Sequence, residues 1–206
     1  AAVQRLLGAD GPVHIIVDNA GTELSVDLVL ADAVLELLAA PVVLHLKLHP
    51  TFVSDATAAD VRWFLGEGID EPDLPPVERW GEDARALQQR LRSALHNGRL
   101  ELAPHAFWNG ARSLWELPPE LVEELAGARL CLLKGDANYR RALGDALWAP
   151  ETSFAAATSY FPAPLLALRT LKSDPIIGLP PGVAARLAAV DTHWRVNGKR
   201  GIASFR

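Results

Sequence analysis

Short apolar runs separated by amphipathic stretches set the rhythm of this chain. Val13 to Val17, Val42 to Leu48, Leu100 to Leu102, Leu130 to Leu133 and Leu165 to Arg169 are near-continuous apolar segments, the pattern of strands covered on both faces. A polar and apolar alternation from Thr192 to Val196 and a short run near Ile202 predict two further strands. Between them, helical periodicity covers Glu23 to Ala39, Ala58 to Leu65, Glu82 to His96, Pro119 to Ala126, Tyr139 to Leu147 and Val183 to Val190. Strand and helix alternate, which predicts an α/β fold, a three-layer α/β/α sandwich on a mainly parallel, Rossmann-like sheet.

A chain of 206 residues suffices for one well-filled domain that buries roughly 70% of its extended-chain surface, so residues 1 to 206 are expected to form a single domain. The acidic, proline-rich stretch Gly66 to Gly81 reads as a surface excursion or as a lid beside the site, with Glu67 to Pro76 at its centre. The chain contains no Met and starts at Ala1, so it is expected to be the carboxy-terminal part of a longer protein. It carries no signal-peptide pattern.

Half of the residues are hydrophobic and 22% are charged, a balance typical of globular proteins. The longest apolar stretches are interrupted by Asp27, Asp32 and Glu36 and fall short of the ~18 to 20 residues a bilayer requires, so no membrane partner is expected. A net charge of −5 argues against the broad basic face that nucleic acid demands. The single cysteine, Cys131, excludes an internal disulfide and suits a reducing, cytoplasmic compartment; inside an apolar run it reads as core packing.

Chemistry gathers where strands give way to helices, the edge at which open α/β sheets hold their ligands. After the first strand comes Asp18-Asn19-Ala20-Gly21-Thr22-Glu23. Asp18 and Asn19 offer oxygen ligands for a hard divalent ion such as Mg²⁺ or Mn²⁺. A helix cap needs one such residue, not two ahead of a glycine turn. Asp55, in Val53-Ser54-Asp55-Ala56-Thr57, is open to two readings, helix cap or second carboxylate ligand. A crossover helix making the first two strands neighbours would bring both loops to one edge.

Lys134-Gly135-Asp136-Ala137-Asn138-Tyr139-Arg140 follows the most apolar strand and opens a helix. Its free N–H groups suit an anion, and Asn138 and Arg140 can donate to phosphate or sugar oxygens. Arg169 and Lys172 add two cations suited to a phosphate. His45, Lys47 and His49 alternate with leucines, but two histidines spaced along a strand lie too far apart to favour a shared metal.

DNAGTE, FVSDAT, LKGDANYR and RTLKSD together resemble the damage-control metal phosphatases, in the subfamily of sugar phosphate phosphatases and acidic residue methyltransferase-like proteins. Their order and spacing match, and the tail from His193-Trp194 to Gly198-Lys199-Arg200-Gly201 is similar to the family's last hairpin. The resemblance implies metal ligation by Asp18, Asn19 and Asp55. It also implies substrate contacts from Glu23, from Gly135, Asp136, Asn138 and Tyr139 in their loop, and from Lys172. Family members carry a large amino-terminal helical region over the pocket, and nothing in this sequence corresponds to it.

These readings converge on a metal-dependent phosphohydrolase releasing phosphate from a small phosphorylated sugar, fructose 1-phosphate-like, with Mn²⁺, Co²⁺, Ni²⁺ or Mg²⁺ as cofactor. Asp18, Asp55 and Lys172 would be the catalytic groups, with Arg140 and Arg169 on the substrate. Two rivals differ in class. Carboxyl methyl transfer from S-adenosylmethionine lacks the glycine-rich turn such a cofactor favours. A non-catalytic binding domain is the other.

Overall fold

Apolar runs become strands with no exposed position: in this computed structural model β1 (Val13–Ile16) and β2 (Val42–Leu46) are buried throughout. The structure describes residues 4, 8–52, 54–67 and 80–206. Those residues hold four more strands, β3 (Leu100–Pro104), β4 (Leu130–Lys134), β5 (Leu165–Thr170) and β6 (Gly201–Phe205). They also hold seven α-helices: α1 (Thr22–Leu38), α2 (Ala58–Phe64), α3 (Glu82–His96), α4 (Pro119–Ala126), α5 (Asp136–Ala142), α6 (Phe154–Ala157) and α7 (Val183–Val190). The strand order is β3-β2-β1-β4-β5-β6. β2 runs parallel to β3 and β4 parallel to β5, while β6 returns antiparallel to β5. The fold is α/β on a mostly parallel sheet.

The chain divides into two compact units. The first spans Gly11–Val13 and the described part of Val17–Gly110. In it α1 turns Leu24, Leu28, Ala31 and Leu35 inward, and α3 turns Leu87, Leu91 and Ala94 inward. That spacing of three and four residues is the core stripe of an amphipathic helix. Arg90 of α3 clasps Asp32 of α1 through Nε and Nη2 at 2.7 to 3.2 Å, a fork-to-carboxylate match that sets how the two helices meet.

The second unit contains His14–Ile16 and Ala111–Arg206. Leu130 to Leu133, Leu165 and Ala167 are buried there with Tyr139, Phe154 and Phe161, and Cys131 is fully enclosed. Burial raises its thiol pKa, so the thiolate is disfavoured and the residue is inert packing. Leu171, Ile176 and Trp194 form a further cluster, with Leu179, Ala184, Leu187 and Ile202 against it.

Two expectations need correcting. Thr192 to Val196 is not a strand: Trp194 N donates to Asp191 O, and Val196 N and Asn197 N donate to His193 O. Asp191 organises this turn, accepting from His193 N, Asn197 Nδ2 and Arg200 Nη1, and side-chain to backbone bonds of that kind outcompete a sheet ladder. The helix expected over Tyr139 to Leu147 is α5, which begins three residues earlier and stops at Ala142, because Gly144 (φ 68°) and Asp145 (φ 51°) turn the chain left-handed. Helix α6, capped by the Ser153 hydroxyl on Ala156 N, is too short for periodicity to reveal. Most of the stretch read as a lid, residues 68–79, lies outside the described residues.

Candidate functional site

Two loops of the first unit are laced together by their backbones. Ala56 N donates to Asp18 O at 3.0 Å, Ala20 N donates to Ser54 O at 2.7 Å, and Asn19 and Asp55 form an isolated antiparallel bridge. That lacing brings Asp18, Asn19 and Asp55 to one place. Neither aspartate caps a helix. Gly21 precedes α1 without a side-chain cap, and α2 is capped by Thr57 in a reciprocal box with Asp60. The cap reading of Asp55 therefore falls away, because the cap position is already filled.

Each polar group in this cluster is held. Asp55 Oδ2 accepts from Thr51 N at 2.9 Å and Phe52 N at 3.0 Å, and its Oδ1 accepts from Lys47 Nζ at 2.5 Å. Lys47 Nζ also lies 3.3 Å from Asp18 Oδ1 and 3.4 Å from Asp18 O. Asn19 donates from Nδ2 to Glu23 Oε2 at 2.9 Å and accepts at Oδ1 from the Ser54 hydroxyl at 3.0 Å, which orients its carbonyl oxygen. Asp18, Lys47 and Asp55 are all buried.

The two carboxyls differ in character. Burial opposes ionisation of Asp55, but the Lys47 ammonium and the N–H groups of Phe52 and Thr51 outweigh it and hold the pKa below the ordinary carboxylate range. At Asp18 burial prevails and lifts the pKa; Lys47 resists, while the Glu23 and Asp55 charges add to the rise. Asp55 is thus a firm anion, and Asp18 gains from any further cation near it.

In the second unit, Gly135 adopts φ 84° and ψ 168° between β4 and α5, and its N–H donates to Leu168 O at 3.0 Å. Only glycine takes that conformation without strain. Asp136 Oδ1 accepts from the Ser173 hydroxyl at 3.0 Å and pairs with Arg169 Nη2 at 2.9 Å. Asn138 is buried, with Nδ2 donating to Lys134 O at 3.0 Å. The buried Tyr139 accepts from Ile177 N at 3.2 Å and lies under the Arg169 guanidinium, 4.3 Å from its carbon.

Arg169 does not point outward. Its side chain is fully buried, donating to Pro175 O at 2.6 Å and Ser173 O at 2.9 Å. It braces the 135 to 139 loop against residues 173 to 175. Arg140 is half-exposed and paired with Asp145 at 2.6 to 2.7 Å. Lys172 is exposed.

The family described as the damage-control phosphatase ARMT1-like domain matches residues 1–187. The chain belongs to this family. Relatives named damage-control phosphatase ARMT1 share 40% identity in Mus musculus, 38% in Xenopus tropicalis and 36% in Homo sapiens, over 94% of this chain and 43% of theirs. The chain therefore spans less than half the length of these relatives. A crystal structure of a DUF89 family protein from Pyrococcus horikoshii covers 89% of this chain and 45% of that one, at a TM-score of 0.42 and 15% identity.

Lys47 was missed by the sequence reading as a part of this cluster. Alternation placed it with His45 and His49, yet β2 ends at Leu46, His45 packs edge-on to Trp108 at 5.3 Å, and His49 is exposed. The overlooked signal was a lysine closing an apolar strand a few residues before an acidic loop, since a buried ammonium must find anions.

Proposed function

We propose that this chain hydrolyses phosphate monoesters of small metabolites with a divalent ion held by Asp18, Asn19 and Asp55. The observation that carries this reading is the convergence of the Asp18 and Asp55 carboxylates on one ammonium, with the Asn19 carbonyl oriented beside them. The donor set fits the ion: all three ligands are hard oxygens, and two opposed ligands of one such ion stand about 5 Å apart. The Asp18 and Asp55 oxygens both reach Lys47 Nζ, at 3.3 and 2.5 Å, so they stand no farther apart than those two contacts laid end to end. Membership in the damage-control phosphatase family and the names of the relatives support the reaction class.

When bound, such an ion would offset charge on the phosphoryl oxygens and favour deprotonation of a water. The chain's own part is preorganisation. Asp55 is fixed by two backbone N–H groups and Lys47, so its oxygens do not reorient when substrate arrives. Glu23 and Ser54 keep the Asn19 amide from flipping. In the second unit, Gly135 and Asp136 are assigned to the substrate by family resemblance; Asn138 and Tyr139, assigned with them, have buried side chains and shape the loop from beneath. Lys172 is exposed and Arg140 is half-exposed beside Asp145, while Arg169 holds the loop in shape. A sugar phosphate such as fructose 1-phosphate is the proposed substrate class, and Mn²⁺ the first ion to try.

The test is phosphate release from fructose 1-phosphate and from p-nitrophenyl phosphate, with Mn²⁺ and with chelator. Release that needs Mn²⁺ and disappears in Asp55→Asn, with the variant still folded, supports the reading. Equal rates with chelator, or an active Asp55→Asn, would sink it.

A further inference from the structure

The Lys47 ammonium has three N–H donors, and three acceptors surround it: Asp55 Oδ1 at 2.5 Å, Asp18 Oδ1 at 3.3 Å and Asp18 O at 3.4 Å. Its donors are all committed, and its side chain is 8% exposed. It is therefore poorly suited to meet a phosphate group itself. What it does is hold two carboxylates close together that would otherwise repel each other in a buried setting, where charge interactions are strong.

We propose that Lys47 is the resident counter-charge of the Asp18 and Asp55 pair, a positioning residue that holds the carboxylates at ion-sharing distance and lowers the affinity of the cluster for a divalent cation. This rests on the metal-site reading above. Charge arithmetic gives the direction. Two carboxylates and one ammonium leave a net −1, against −2 without the lysine, and a divalent cation drawn to the same oxygens is repelled by the ammonium beside them. Losing some order in two short side chains costs less than that repulsion. The neutral variant should therefore bind the ion more tightly, although the metal-free protein is less stable.

Lys47→Met removes the charge and keeps most of the stem; Lys47→Arg keeps the charge. Mn²⁺ binding is read by titration calorimetry, and thermal unfolding is followed with chelator and with Mn²⁺. Expected for Lys47→Met is a Kd lower by about tenfold or more, a lower Tm in chelator and a larger rise in Tm on adding Mn²⁺ than the wild type shows. Lys47→Arg should stay within about threefold of the wild-type Kd, since the repulsion survives. If Lys47→Met does not fold without metal, Lys47→Gln, which can still bond both carboxylates, provides the same Kd comparison. Unchanged or weaker Mn²⁺ binding in the neutral variant overturns the proposal while leaving the metal site intact. A wild-type protein that binds no divalent ion overturns the metal site, and this inference with it.

Discussion

Lys47 Nζ and Asp55 Oδ1 lie 2.5 Å apart with both side chains buried, although the pair joins a lysine near the end of an apolar run to a residue in an exposed-looking polar loop. Asp55 is anchored on its other oxygen by Thr51 and Phe52, whereas the Asp18 carboxylate meets the same ammonium at the longer 3.3 Å. Equal-looking aspartates thus carry opposite energetic signs.

Asp55→Asn should destabilise the metal-free protein by about 1 to 3 kcal/mol, because it weakens three bonds to a buried anion and leaves Lys47 undercompensated. Asp18→Asn should raise metal-free Tm by a few degrees, since it removes a carboxylate whose ionisation burial opposes. Both should abolish Mn²⁺ binding. Thermal melts in chelator alongside calorimetric titration check the pair, and a stabilised Asp55→Asn would refute the asymmetry.

The pH dependence follows with its sign. Asp55 is depressed when folded, so its contribution is present above the ordinary carboxylate pKa and is lost as pH falls through the lower folded value. Asp18 is raised, so the folded state gives up stability as pH climbs from the ordinary value through the folded one. The Tm advantage of Asp18→Asn over wild type in chelator should therefore be absent at low pH and grow as pH rises through that window. A constant difference across the range would contradict the raised pKa.

Arg169 is the place where a substrate role and a structural role make different predictions. Its side chain is wholly enclosed, bonded to Pro175 O and Ser173 O and paired with Asp136. Arg169→Met should cost about 3 to 5 kcal/mol by stranding Asp136 and two carbonyls, and Arg169→Lys should rescue little of it, lacking the planar fork. Denaturant unfolding measures this. A variant with wild-type stability and impaired phosphate release would return Arg169 to the substrate.

Lys172 should behave the other way. It is exposed, so Lys172→Met is expected to leave Tm within about 1 °C, as surface changes do, while lowering kcat/KM for a phosphate ester by 10-fold or more, about 1.4 kcal/mol of lost stabilisation. Parallel melts and steady-state kinetics decide it; unchanged kinetics would remove the lysine from the proposed site.

Gly144 offers a check on the second unit that is independent of chemistry. A Cβ there would lie 2.2 Å from Trp115 Cη2, and φ is +68°. Gly144→Ala should destabilise by about 2 to 4 kcal/mol, combining left-handed strain with overpacking. Adding Trp115→Ala should recover the overpacking share alone. Urea unfolding of the single and double variants separates the two.

The sequence by itself determined the alternation of elements and their ends where local signals are strong. Helices α3, α4 and α7 have the bounds their periodicity predicts, and the buried runs became β1, β2, β4 and β5, because burial of a short segment is written in its own residues. It also located the four polar loops after those strands. Tertiary structure decided what the charged groups do. Asp18 reaches Lys47 across 29 residues and Asp136 meets Ser173 across 37, separations at which no periodicity carries information. Whether Asp55 was a cap depended on Thr57 taking that place, and whether Arg169 faced outward depended on carbonyls at 173 and 175 turning toward it. Hydrophobic pattern reports which side of a segment leaves water; which charges then meet in the interior is set by the chain's return path, since a buried charge takes whatever counter-charge the fold delivers to it.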